Sequence, residues 1–253
     1  AYQIAAALFY STDYEEAERA FRAIAQDRTS PWSKIAPYLA ARCLIRKATV
    51  NAPAGSFDKP VLERASRELH AFAQSADSAH DRAMAEELLG FVDARVAPIA
   101  RARALASAIE EGHLRGAIWR ALFDYTFLLD AAHGEGAFEE AEQRIQRAQT
   151  DFERLVAWRS TSDLTDWIIT FQASTPDATA HAFARWRESA SLAWLVAVLD
   201  KTTKDTPDVE PVLEAARALK ADSPAYPSAV YHLVRLQLER GQQSAARESI
   251  DRV

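Results

Sequence analysis

With one cysteine, Cys43, in a chain of 253 residues, neither an intrachain disulfide nor a thiolate metal cluster can form. Glycine is nearly as scarce. Seven residues stand where an average usage of about 7% would supply more than twice as many, which disfavours turn-rich β architecture. Positive charge is also short: 30 Lys and Arg against 36 Asp and Glu give a net charge of −6. That balance lacks the basic excess that holds a phosphate backbone, so nucleic acid is not an expected partner. No apolar run approaches the roughly 18 residues that a spanning helix needs, so membrane insertion is not expected either.

Catalytic patterns are missing too. The sequence has no His-Glu-x-x-His zinc motif, no pair of Glu-x-x-His motifs of the di-iron kind and no Asp-Asp-x-x-Asp cluster for magnesium. It also has no glycine loop to cradle a phosphate. The expectation is a protein without catalysis, metal or cofactor.

What is abundant is alanine, 52 residues, the strongest helix former. Breakers parse the chain into about fourteen helices with short loops, over 2–11, 14–27, 33–49, 59–76, 79–96, 98–111, 114–132, 137–158, 163–173, 177–189, 191–202, 209–220, 226–240 and 243–253. Ser30 before Pro31 and Thr175 before Pro176 each place a capping oxygen ahead of a proline that tolerates the first turn. The longer loops, 51–56 and 201–207, are too short to demand a domain boundary, so the chain reads as one all-α domain over 1–253.

An internal repeat is the most informative feature. Tyr14-Glu15-Glu16-Ala17-Glu18 recurs as Phe138-Glu139-Glu140-Ala141-Glu142, with Phe21 and Ile24 answering to Ile145 and Ala148. A third copy spaces Gly241, Ala246, Ile250 and Val253 as Gly136, Ala141, Ile145 and Ala148 are spaced. These residues resemble the tetratricopeptide repeat, in which a small residue at the turn precedes an aromatic one, then a small residue where paired helices touch. The family's Trp-Leu-Gly signature is replaced by Ala1, Ile4 and Ala5 in the first copy and by Val230, Leu233 and Val234 in the last. Segments 33–112 and 160–200 keep no register of about 34 residues. Ser30-Pro-Trp with Ala36-Pro-Tyr-Leu, and Asp222-Ser-Pro-Ala-Tyr-Pro, are similar to segments of bacterial tetratricopeptide-like proteins. The resemblance implies a right-handed α-solenoid of about seven hairpins, soluble in a bacterial cytoplasm or periplasm. The opening Ala1-Tyr2-Gln3, without Met or leader, reads as a processed start or a cut from a longer chain.

Helix 114–132 carries one apolar stripe through Ile118, Leu122, Tyr125 and Leu129 and a second through Trp119, Phe123 and Phe127, a pattern expected of a helix buried between neighbours. The alanines at 17, 20, 141, 148 and 246 are expected where paired helices approach closely. His70, His80, His113, His133, His181 and His232 are scattered singly and read as surface or capping residues, with His70 and His80 the one pair able to converge. Cys43 sits in an apolar stripe with Ile35 and Leu39 and reads as a small buried hydrophobe. The tryptophans at 32, 119, 158, 167, 186 and 194 read as packing residues.

The candidate site is a groove. Tyr38, Arg42 and Arg46 recur at i, i+4 and i+8 on one helix, and the first helix of a tetratricopeptide-like hairpin faces the concave surface. Arginines there can grip a peptide carboxylate bidentately. The expected function is a non-catalytic protein-interaction scaffold that binds a protein or peptide. The alternative is a helical substrate-holding or regulatory region of a larger multidomain enzyme.

Overall fold

The computed structural model describes residues 1–50, 52–53, 56–112, 118–134 and 150–251. Among them every regular element is helical, and none is a strand. The helices are α1 (Tyr2–Tyr10), α2 (Tyr14–Gln26), α3 (Ala36–Val50), α4 (Lys59–Ser75), α5 (Ala79–Val96), α6 (Pro98–Glu110) and α7 (Ile118–His133). After them come α8 (Val156–Arg159), α9 (Asp163–Gln172), α10 (Pro176–Ser189), α11 (Leu192–Lys201), α12 (Glu210–Arg217), α13 (Tyr226–Glu239) and α14 (Gln243–Ile250). No helix among the described residues is long and apolar enough to cross a membrane.

Local chemistry sets the starts. Asp13, Asp58, Ser78, Ser162, Thr175 and Ser191 each accept a bond from the backbone N–H three residues on, which satisfies one of the first-turn donors that a helix leaves without an internal partner. Ser30 does not cap a helix. Its hydroxyl accepts from the Trp32 N–H at 3.3 Å, residues 31–35 form turns, and α3 begins at Ala36 because Pro37 has no N–H to return to Ser33.

Two hairpins close with the same turn. After α1, Ser11 N–H bonds Ala7 O (2.9 Å), Thr12 bonds Phe9 O (3.2 Å) and Asp13 bonds Leu8 O (3.0 Å). After α13, Arg240 bonds Leu236 O (3.1 Å), Gly241 bonds Leu238 O (3.0 Å) and Gln242 bonds Gln237 O (2.8 Å). The central residue is left-handed in both, Thr12 at φ 69° and Gly241 at φ 74°. Five residues later comes a buried alanine, Ala17 or Ala246. The third copy, at 136–148, lies outside the described residues, as does Val253. Ile250 departs from the repeat pattern and is exposed.

By its internal contacts the chain divides into two compact units, Ala1–Ala102 and Arg103–Val253. In the first, each helix from α1 to α5 packs on the next. α3 is sandwiched. Ala36, Ala40 and Cys43 face Ala5, Tyr14, Ala17, Phe21 and Ile24, while Ala41, Leu44, Ile45 and Ala48 face Leu62, Ala65, Leu69, Ala85 and Val92. Small residues on both faces of α3 permit this close approach. Between α2 and α4 runs a lattice of four charges. Glu18 and Glu68 each accept from both Arg22 and Arg64, with Arg22 Nε 2.8 Å from Glu18 and Arg64 Nε 3.1 Å from Glu68.

The second unit is built from shorter helices around Trp194, Val198, Leu199, Val212 and Leu236. Cations tie the helix ends. Lys201 Nζ donates to Phe171 O (3.1 Å) and to Ala173 O, at the end of α9. Arg235 Nη2 donates to Leu199 O (2.9 Å) and Thr202 O (2.8 Å), at the end of α11. These are the terminal carbonyls that a helix cannot bond internally.

α7 corrects an expectation. Ala121, Tyr125, Leu128 and Leu129 are buried, but Trp119, Phe123 and Phe127 are 80%, 74% and 54% exposed. The helix is covered on one face, where the Tyr125 hydroxyl meets Thr165 Oγ1 at 2.7 Å.

Candidate functional site

A shallow pocket opens between α1 and α3, lined by Tyr2, Ala6, Phe9, Tyr10, Phe21, Leu39 and Arg42. The hydrogen-bonded turn at Thr12 folds α2 back beneath α1, so Phe21 forms part of the floor and Tyr2, Phe9 and Tyr10 form the wall. Tyr2 is stacked on Trp32 (ring centroids 4.3 Å) and meets Phe21 edge-on (6.1 Å), which fixes that side of the wall. Phe9 is braced edge-on by Tyr14 at 5.6 Å.

The polar group in this setting is Arg42. Its guanidinium lies 5.3 Å from the Phe9 ring centroid and 6.0 Å from that of Tyr38, and it pairs with no carboxylate among the described residues. The ring faces attract the cation without neutralising it, so its fork of donors stays available to an anion. Tyr38 is half-buried against Phe72 of α4, ring centroids 5.6 Å apart. Burial pushes its hydroxyl up against the opposing pull of Arg42. Arg46 is exposed one turn beyond Arg42 and is not part of the pocket wall. The structure therefore brings Arg42 to the pocket, sets Tyr38 beside it and leaves Arg46 on the adjoining surface. Tyr2, Phe9 and Tyr10, which the sequence reading did not single out, supply most of the apolar wall.

Cys43, next to Arg42 in sequence, has no exposed surface, and burial pushes its thiol up to about 12. An ionised thiolate is the reactive form, so this side chain is inert in the folded state.

The densest polar cluster lies in the second unit and has a different character. Asp166 is buried and accepts from Arg159 Nε (3.0 Å) and from His181 Nε2 (2.8 Å), with Arg185 Nε 3.4 Å from its second oxygen. Asp163 accepts from Arg185 and from the Trp194 indole at 2.9 Å. Arg159 stacks 3.7 Å over the Phe152 ring and donates to the Phe152 carbonyl at 3.0 Å. Burial alone would raise the Asp166 carboxyl, but the hydrogen bonds and charges of His181 and Arg159 outweigh it and hold the group below its ordinary value. A carboxylate so neutralised fastens helices and is a poor proton acceptor.

Three histidines depart from the surface reading. His181 belongs to this cluster, His133 bonds Asp151 through Nδ1 at 2.6 Å, and His232 is buried. His133 and His181 find their carboxylates 18 and 15 residues away in sequence, beyond any helical spacing, so no local pattern marks them. His70 bonds its own helix at Ser66 O (2.9 Å), and His80 is exposed. His113 lies outside the described residues. Among the described residues no three His, Cys, Asp or Glu side chains gather as a metal would require. Compared with protein-family models, curated proteins and solved structures, the chain matches none.

Proposed function

We propose that this protein is a non-catalytic scaffold of tetratricopeptide-like hairpins, stacked as a right-handed solenoid, that binds a protein or peptide segment through the α1–α3 pocket. The observation that carries the reading is Arg42: a cation without a carboxylate partner among the described residues, set against the rings of Phe9 and Tyr38 in an aromatic pocket. The segment that fits is extended, with a bulky apolar side chain to lie against Tyr2, Phe9 and Phe21 and a carboxylate for Arg42 and Arg46. Shared turn bonding in the first and last hairpins supports the repeat.

Peptides selected from a random displayed library on the purified chain test this reading. The recovered sequences are expected to pair an acidic residue with a bulky apolar one. In fluorescence anisotropy, Arg42→Ala should weaken them by about tenfold, a loss of about 1.4 kcal/mol. Salt near 0.5 M should weaken them too, because partly exposed charge pairs are screened at roughly 3–5 Å under those conditions. Peptides that bind Arg42→Ala as tightly as the native chain would remove the site.

A further inference from the structure

The exposed face of α7 has no role in that reading. Trp119, Phe123 and Phe127 follow one another at four-residue spacing on a 16-residue helix, exposed by 80%, 74% and 54%. Aromatic side chains present about 150–250 Å² each, so the three leave roughly 400 Å² of apolar surface in water per copy. A standard interface buries about 800 Å² on each partner, so the stripe supplies about half of what a stable dimer needs, concentrated at its centre. Thr126 and Ala131, exposed beside it, extend the face.

We propose that this face is where a second copy of the chain binds, as an antiparallel, two-fold α7–α7 pair centred on Phe123. The stripe is self-complementary. A two-fold axis at Phe123 sets Trp119 of one copy against Phe127 of the other, because the two residues stand four positions either side of the centre. One patch then serves both partners, as the commonest closed symmetry requires. Offset or edge-on ring pairs add attraction beyond the buried area.

Sedimentation velocity of the full chain from about 1 to 200 µM tests the proposal, since a reversible dimer must respond to concentration by mass action. Dimer is expected to accumulate across that range. Phe123→Glu should raise its dissociation constant by at least about tenfold. Ile4→Glu, at an exposed apolar residue of the first unit outside the pocket lining, should leave it unchanged. Should Phe123→Glu fail to fold, single cysteines give an independent reading. Phe123→Cys should oxidise to a covalent dimer, while Trp119→Cys should not, its symmetry mate being about 12 Å away along the helix. Buried Cys43 stays out of the reaction. A chain that remains monomeric throughout, a dimer that survives Phe123→Glu, or a Trp119→Cys chain that cross-links as fully as Phe123→Cys would each overturn the proposal.

Discussion

The two units handle charge in opposite ways. In Ala1–Ala102 the core is a stack of alanine-rich seams, and the charged groups that join helices do so in partly exposed ion pairs such as Arg22–Glu68 and Lys47–Glu15. Arg42 and Arg46 take part in none of these pairs. In Arg103–Val253 the cations are drawn inward: Arg159 and Arg185 onto Asp166, and Lys201 and Arg235 onto the ends of α9 and α11. Helix length accounts for much of the difference. Helices of 13 to 18 residues, like α2 to α5, bond most of their peptides internally. Helices of 8 to 10 residues, like α9, α11 and α12, expose a larger fraction of end carbonyls and donors, which side chains must then satisfy. Arg42 and Arg46 in the first unit are left over for recognition, whereas Arg159, Arg185, Lys201 and Arg235 in the second are committed to holding the fold.

Acid should separate the units most strongly. Asp166 is held below its ordinary value, so its contribution is complete above the unfolded value of about 3.9 and disappears as pH falls through the folded value. His232 adds to this at milder pH. Burial lowers its imidazole, aided by Arg235 and opposed by Asp200, so the folded state resists a proton that the unfolded chain accepts below about 6.5. Stability of the second unit should therefore decline in two stages as pH is lowered, whereas the carboxylates held low in the first unit, Glu15, Asp27 and Asp77, are exposed and screened by solvent. In a Trp32→Phe chain the remaining tryptophans all lie in that unit, and Cys43 reports on the first. Tryptophan emission is expected to change at higher pH than Cys43 becomes reactive to an aromatic disulfide. Coincident transitions would erase the distinction.

Helix positions were legible in the sequence because their signals are local. Proline, capping oxygens and alanine density act within a turn of the residues they govern, and the helices that Asp58, Ser78 and Thr175 cap start at or within one residue of the spans read from the sequence. Burial of Ala17 and Cys43 was legible for the same reason, since helical periodicity and small residues report a shared face. What covers a face is not local. Two apolar stripes on α7 read as two buried faces, yet the stripe through Tyr125 is the one that meets a neighbour. The Asp166–His181 pair was invisible because its members sit on consecutive helices with a turn between them. Of the candidate site, Arg42 was found from its spacing along α3, whereas the ring wall of α1 depends on how the first hairpin docks.

The shared turn provides a smaller test between the units. Thr12 holds a left-handed φ of 69° with a β-branched side chain, where Gly241 holds φ 74° without strain. Thr12→Gly should stabilise the first unit by about 1 kcal/mol, and Gly241→Ala should destabilise the second by a similar amount. Denaturant midpoints monitored by Cys43 reactivity and by tryptophan emission check each. Shifts of the same sign would mean that the two turns are not equivalent.

The division between available and committed arginines is tested most directly by melting temperatures. In Arg159→Ala a buried carboxylate loses one partner at 3.0 Å while His181 and Arg185 remain, a change that costs about 1.5–3 kcal/mol and should lower the melting temperature of the second unit by about 3–12 °C. In the double variant Arg42→Ala, Arg46→Ala the loss is limited to the ring contacts of Arg42, about 0.5–1 kcal/mol, which is about 2–8 °C in a unit of this size, so the two variants are compared as unfolding free energies at their melting temperatures and the smaller loss is expected here. A loss in the double variant equal to that of Arg159→Ala would contradict the account, because both arginines would then be holding the fold and neither would be free for a partner.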